Sequence, residues 1–366
     1  MSPQLIYTQS SLLRSLVTSQ LHNLLEFQAI GSWWIYSQLS SVPEHGRASD
    51  SGVISGQNGD PNQKEHIQPK MQKLPSSRED VFTNDTFTAK DKRSMMKFLR
   101  AVLSENTAEA TSAQGDPFSL TLSGHYGMAS SLHWPLLALT LSYKSPSETH
   151  TGLAMSRIKQ HLQSIGAFGA GFGAVMPKYG GSAEIAQVAC RASAVGGAVY
   201  VLGRGLEKTS RVRIHESDST HEELLQLELS DGEAIRARYL AGCADDLPTQ
   251  ISSLLNVDQS RIERITHSIN IVSSPMEHLF PPTSEYGPMP AAAVVVDLPQ
   301  NSQMGAGSDP SERSEPIYLI VHSADSGECP AGQCESHCHT PPLRHRLNSP
   351  MMIHKLNTYL HCLQFR

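Results

Sequence analysis

The chain reads as a mixed α/β or α+β protein in which a helical segment leads into, or is inserted into, a larger β-rich part. Three observations give that class. Apolar residues recur at helical spacing through much of the chain up to Phe168, a glycine-rich loop and one helix follow, and beyond Leu206 the apolar runs are short and set off by turn residues. A length of 366 residues suggests about two domains. The formal charge of −6 and isoelectric point near 6.3 argue against a phosphate-binding surface, so nucleic acid is not an expected partner. No stretch approaches the roughly 20 apolar residues that span a bilayer. The opening residues lack the basic flank and continuous apolar centre of a signal peptide. Six cysteines in so long a chain do not make a disulfide scaffold, which suits a reducing cytosol.

The elements follow in order. Leu12, Leu13, Leu16 and Val17 recur at helical spacing, then Leu21, Leu24 and Leu25; Trp33, Trp34, Ile35 and Tyr36 form a strand-type run. Residues 41–75 lose the apolar pattern and read as a disordered insertion, because such a segment buries too little apolar surface to offset its ordering entropy. Thr88 caps a helix carrying Met95, Met96, Phe98, Leu99 and Val102. A second polar interval spans about 104–116, followed by two short helical segments broken near Gly124 and Pro135. Thr151 to Phe168 forms an amphipathic helix with Met155, Ile158, Leu162 and Ile165 on one stripe. A helix over about 183–195 ends at Gly196-Gly197, and Ala198 to Leu202 reads as a strand. A hairpin turns at Asp231-Gly232, and 264–274, 291–298 and 316–323 complete the strands.

Several motifs invite chemistry. Gly169 to Ala174 satisfies G-x-G-x-x-A, but a dinucleotide site needs a strand before the glycines and a helix directly after them. Here a helix precedes, and Pro177 with further glycines intervenes, so a structural loop is expected. Glu184 and Arg191 lie two helical turns apart and project along nearly one line, beside a stripe of Ile185, Val188, Ala192 and Val195 that would face the core. Exposed charges are by default solvated. Cys190, leaning inward on that helix, reads as a buried structural thiol. Cys329, Cys334, Cys338, His337 and His339 are the residue types of structural zinc, but their spacing lacks a matching distant pair, and no metal site is assigned. There is no nucleophile elbow, H-E-x-x-H pair or P-loop, so no catalytic residues are expected.

Pro177, Tyr179, Gly180, Glu184, Gln187, Arg191, Ala194, Gly196, Gly197 and Tyr200 carry a resemblance to the signature helix of the Rab GDP-dissociation inhibitor and Rab escort protein family. The likeness extends upstream through 11–27, 74–102 and 152–169 and fades after about Gly332. The segment from Leu74 and the polar insertion resemble the escort members more than the compact inhibitors. The resemblance implies a GDI-like fold: a large domain resembling FAD/NAD(P)-binding folds, with an inserted all-helical domain and no need of a cofactor. It implies a non-catalytic component of a prenyltransferase complex. That component binds GDP-bound Rab GTPases, presents them to the α/β heterodimer of Rab geranylgeranyltransferase and holds the geranylgeranyl product, in the cytoplasm with transient contact with membranes. A Rab GDP-dissociation inhibitor that recycles Rab, and a flavin-dependent oxidoreductase of related fold, are the alternatives.

Carried over residue by residue, Glu184, Arg191, Val201, Tyr179 and Gln187 would form the Rab-binding platform. Met96, Leu99, Leu136 and Leu139 are candidates for an apolar prenyl slot, where each buried CH₂ contributes about 0.8 kcal/mol. The family begins with a strand and glycine turn that would precede Met1, so the resemblance implies an N-terminally truncated chain without its first βαβ unit. The expected organisation is a large-domain remnant at 1–40, the insertion at 41–75 and a helical domain at 76–175. The platform helix and β-rich part then occupy 176–325, and an irregular tail, read as mistranslated, occupies 326–366.

Overall fold

The computed structural model describes residues 5–39, 68–74, 81, 87–104, 115–215, 221–243, 246–248, 251, 265–299 and 315–340. It divides into two compact units, Met1–Ala189 with Ile265–Arg366, and Cys190–Arg264.

The first unit is built on an 8-stranded sheet. Its strands are β1 (Ile6–Tyr7), β2 (Phe27–Leu39), β3 (Gln68–Lys73), β4 (Ala174–Pro177), β8 (Thr266–Val272), β9 (Ala292–Asp297), β10 (Ile317–Ser323) and β11 (Cys334–Thr340). They run in the order β1-β4-β2-β9-β10-β11-β8, with β3 alongside β2. β2 pairs with β9 in parallel, and the other neighbours are antiparallel. β9 is buried at all 6 positions, as expected of a continuous Ala/Val run lying inside a sheet covered on both faces.

Alternation then assigns the two faces. Val294 and Val296 join Ile30, Trp33 and Ile35 in one apolar cluster, while Ala293 and Val295 join Leu319 and Val321 in another. The first cluster also takes in four helices: α2 (Ala89–Leu103), α3 (Phe118–Gly124), α4 (His133–Ala138) and α5 (Thr151–Ser164) contribute Phe98, Phe118, Leu137 and Ile158 to it. α1 (Ser11–Thr18) packs separately, through Leu13 and Leu16 against Ile6 and Val175. Helix α2 forms where the sequence places it. Thr88 Oγ1 accepts from Asp91 N at 3.2 Å and Asp91 Oδ2 accepts from Thr88 N at 3.2 Å, a reciprocal cap that satisfies two otherwise orphaned donors.

Several expectations need correction. Gln68–Lys73, placed in the disordered insertion, is a strand paired antiparallel with Trp34–Leu39; residues 41–67 and 75 lie outside the described residues. The helical segment shares its core with the sheet instead of keeping one of its own, and the separate unit is 190–264. α5 stops at Ser164, short of Phe168, where the chain enters a glycine-rich turn with Gly166 at φ +82°. Pro135 sits in the first turn of α4, where its missing N–H costs nothing, so it starts that helix instead of breaking one. The tail expected to be irregular from 326 contains β11, held between β10 and β8; residues 341–366 lie outside the described residues.

The second unit carries a 3-stranded antiparallel sheet of β5 (Leu206–His215), β6 (His221–Leu229) and β7 (Ala234–Ala237). Arg204 pairs with Asp231 and with Glu233, and Lys208 with Glu228, along its surface. The segment Ala198 to Leu202 is not a strand: among the described residues it pairs with no other strand.

Candidate functional site

Helix α6 (Ser182–Val195) carries Glu184, Gln187 and Arg191 of the residues that the resemblance assigns to the platform, with Tyr179 before it and Val201 after it. It runs through the division at Ala189, so its two halves are described with their own units.

In the first unit β4 delivers the chain to a turn at Lys178 to Gly181, from which α6 starts. Tyr179 holds φ at +73°, a left-handed conformation that costs a non-glycine residue free energy and persists only where neighbours enforce it. Tyr179 N donates to Ser326 O at 3.2 Å, and Lys178 N donates to Glu26 O at 2.9 Å. Lys178 Nζ lies 4.9 Å from the centre of the Tyr179 ring and 2.8 Å from Glu26 Oε1. The hydrogen bond to Glu26 raises the Lys178 pKa. Beneath the ring lies Gly327, where a Cβ would come within 2.7 Å of Tyr179. The ring is thus fixed from below and still 55% exposed. A rigid, half-exposed tyrosine is a good contact residue because little side-chain entropy is left to lose on binding. Sequence reasoning missed Glu26, Lys178 and Gly327 as its supports; Glu26 and Lys178 are 152 residues apart, and no local pattern links them.

Glu184 is half-buried and closes on the glycine turn, since a Cβ on Gly180 would lie 3.1 Å from Glu184 Oε1. Gln187 is exposed. The stripe expected to face the core is not buried: α6 has no buried residue along its length. Cys190, expected as a buried thiol, is exposed. Of that stripe, Ile185 packs, partly buried, against the cluster of Ile6, Leu13, Leu16 and Val175.

In the second unit Arg191 is exposed at the start of an apolar stretch. Val195, Val199 and Leu202 are each more than four-fifths exposed, and Val201 is 45% exposed. Apart from Pro248, none of the described aliphatic or aromatic side chains of this unit is buried. Ser193 and the Tyr200 hydroxyl hydrogen-bond to each other and fold the segment back after Gly197, whose φ of +96° ends the helix.

The prenyl-slot candidates are placed in the core. Met96, Leu99, Leu136 and Leu139 are all buried in the cluster shared with β2 and β9. Of the four, Met96 also reaches the wall of a surface groove of about 600 Å³ along α2, lined otherwise by Ala89, Lys92, Arg93, Lys97 and Arg100. The glycine loop 169–173 leads into strand β4 instead of a helix, so no helix N-terminus faces it. Its glycines serve packing: a Cβ on Gly171 would fall 1.6 Å from Thr283 O.

No family model matches the sequence. The chain is 26% identical over 345 residues to the Rab proteins geranylgeranyltransferase component A of Saccharomyces cerevisiae, an alignment covering 91% of this chain and 46% of that protein. It is 23% identical over 345 residues to the protein of the same name from Candida albicans, covering 91% of this chain and 44% of that one. A stretch of 135 residues is 33% identical to the human Rab proteins geranylgeranyltransferase component A 2, covering 36% of this chain and 20% of that protein. The chain therefore spans less than half the length of the two fungal relatives. Among solved structures, the Rab GDI of Plasmodium falciparum matches with a TM-score of 0.58 at 16% identity, over 98% of this chain and 70% of that one, which bears on fold alone. The family expected from residues 177–200 is thus the one the comparisons return: over nine-tenths of its length the chain is similar to the component A proteins of Rab geranylgeranyltransferase, on the fold of a Rab GDI.

Proposed function

We propose that this chain is an accessory, non-catalytic subunit of Rab geranylgeranyltransferase that binds GDP-bound Rab GTPases, presents them to the α/β heterodimer and chaperones the geranylgeranylated product. It would act in the cytoplasm with transient delivery to membranes; among the described residues no helix is long and apolar enough to cross a membrane. The observation that carries this reading is the similarity to component A proteins along 91% of the chain. The surface chemistry agrees with it. Tyr179, Glu184 and Gln187 offer a held ring and polar groups, and Arg191 with Val201 offers a charge beside apolar side chains, a mixture that fixes orientation and still lets a partner go.

The similarity in fold to a Rab GDI favours a second reading, a GDP-dissociation inhibitor. The two differ in what they bind. Pull-down of the purified chain with unprenylated Rab in the GDP state and the transferase heterodimer should give a ternary complex. Capture of prenylated Rab without the transferase would support the inhibitor instead. Binding neither form of Rab would overturn both.

A further inference from the structure

Strand β11 presents two chemistries on two faces. Cys334 and Cys338 stand opposite Ser323 and Leu319 and point into the second apolar cluster. Alternation sends Glu335, His337 and His339 to the other side. This separates the cysteines from the histidines, so the five residues that look like a zinc set in the sequence cannot close around one ion. Cys334 Sγ instead donates to Pro275 O at 3.0 Å, and Cys329 Sγ to Gln333 O at 3.4 Å.

The histidine face gathers different partners. His322 stands opposite Glu335 on β10, and His267 opposite His339 on β8. After β10 a short 3-10 turn, Ala324–Ser326, and Gly327 at φ +81° double the chain back, so that Glu328 hydrogen-bonds the His322 imidazole. The rings of His322 and His337 are 4.7 Å apart between centres, and both residues are 1% exposed. One donor atom from each of His322, Glu328 and His337 lies within 4.8 Å of the other two. His322 Nε2 is buried without a hydrogen-bond partner. His337 Nε2 faces Glu335 Oε1 at 3.2 Å but forms no well-aligned hydrogen bond.

Charge adds to geometry. Two carboxylates, Glu328 and Glu335, share this face with both side chains less than a tenth exposed. Buried carboxylates call for a cation.

We propose that His322, Glu328 and His337 bind one divalent transition-metal ion, with zinc the best match to two imidazoles and a carboxylate, tying β10, the turn after it and β11 together. Tetrahedral zinc sets its donors about 3.3 Å apart, so the 4.8 Å limit on the three donor atoms leaves at most about 1.5 Å to close. Glu335 or water completes the shell. The site is independent of the Rab reading, and its role is structural, since the ligands are buried.

The test uses the full chain without an affinity tag, freed of metal by chelator dialysis. Titration with zinc should saturate at one ion per chain and raise the thermal midpoint. Cobalt(II) should give visible d–d bands without a thiolate charge-transfer band in the near ultraviolet. Glu328→Gln and His337→Gln should each weaken zinc binding by at least about a hundredfold, while His278→Gln leaves it unchanged. Cobalt binding to the wild-type chain decides the matter even if His337→Gln does not fold. Failure of the folded wild-type chain to take up one ion would overturn the proposal. So would a thiolate band, which would assign the ion to cysteines, or unchanged affinity in Glu328→Gln.

Discussion

Replacing His161 by leucine should remove one component of the protein's acid lability. The imidazole lies on α5 inside the main core, 2% exposed, with the Trp33 ring edge-on at 4.9 Å and the Tyr7 ring at 5.8 Å. Neither ring nitrogen has a hydrogen-bond partner. Burial therefore lowers its pKa from 6.5 to about 4. The sign follows from which state takes the proton. Below about pH 6.5 the unfolded chain accepts it and the folded chain refuses it until about pH 4, so stability is complete above that window and falls through it. A difference of about 2.5 pH units corresponds to at most about 3 kcal/mol lost by pH 4. His161→Leu has no proton to refuse. Urea denaturation of both proteins, followed by circular dichroism from about pH 7 to pH 4, gives two stability curves. Their difference should grow by about 1.4 kcal/mol per pH unit within the window. His133, His267, His278, His337 and His339, which are also lowered, are common to both proteins and cancel. A constant offset at every pH would refute the assignment of a neutral, buried His161.

Other perturbations probe the remaining links. Exchanging both Glu184 and Arg191 for alanine should weaken Rab·GDP binding by at least about tenfold, about 1.4 kcal/mol, with an unchanged far-ultraviolet spectrum; equal affinity in a folded double mutant would return the pair to the role of solvated helix charges. Gly327→Ala introduces a Cβ under the Tyr179 ring at a positive φ, and should cost more than about 1 kcal/mol in thermal or urea stability. Thr88→Ala removes the reciprocal cap of α2 and should cost about 1 kcal/mol in the same measurement, whereas Thr88→Ser should cost little.

How much of this was legible in the sequence depends on how local each determinant is. α2 was readable because its cap and its apolar stripe sit within 16 residues, Thr88 and Ala89–Leu103. β9 was readable from an unbroken Ala/Val run. β3 was not, because QPKMQK has no apolar alternation and becomes a strand through backbone bonds to β2. β11 was missed for the opposite reason: its Glu, His and Ser look like tail residues, yet most positions are buried, with the polar ones facing partners on β8 and β10. In the candidate site the family pattern pointed to Tyr179, Glu184 and Arg191. The supports of Tyr179 come from distant parts of the chain and were invisible, as was the meeting of His322, Glu328 and His337. The prenyl-slot residues were selected by apolarity alone, which does not separate a lipid pocket from a packed core.

The parallel pairing of β2 with β9 has a consequence for how the chain reaches this state. β2 leaves the ribosome before its partner, which comes after every helix from α2 to α6 and after the second unit. The middle of the sheet therefore has a high contact order, and closing it comes late in folding. Until then the apolar residues of β2, Ile30, Trp33 and Ile35, have helices to lean on but no strand on the side that β9 will occupy. Exposed strand edges of this kind favour association with other chains. During synthesis this chain has a long interval in which it needs protection.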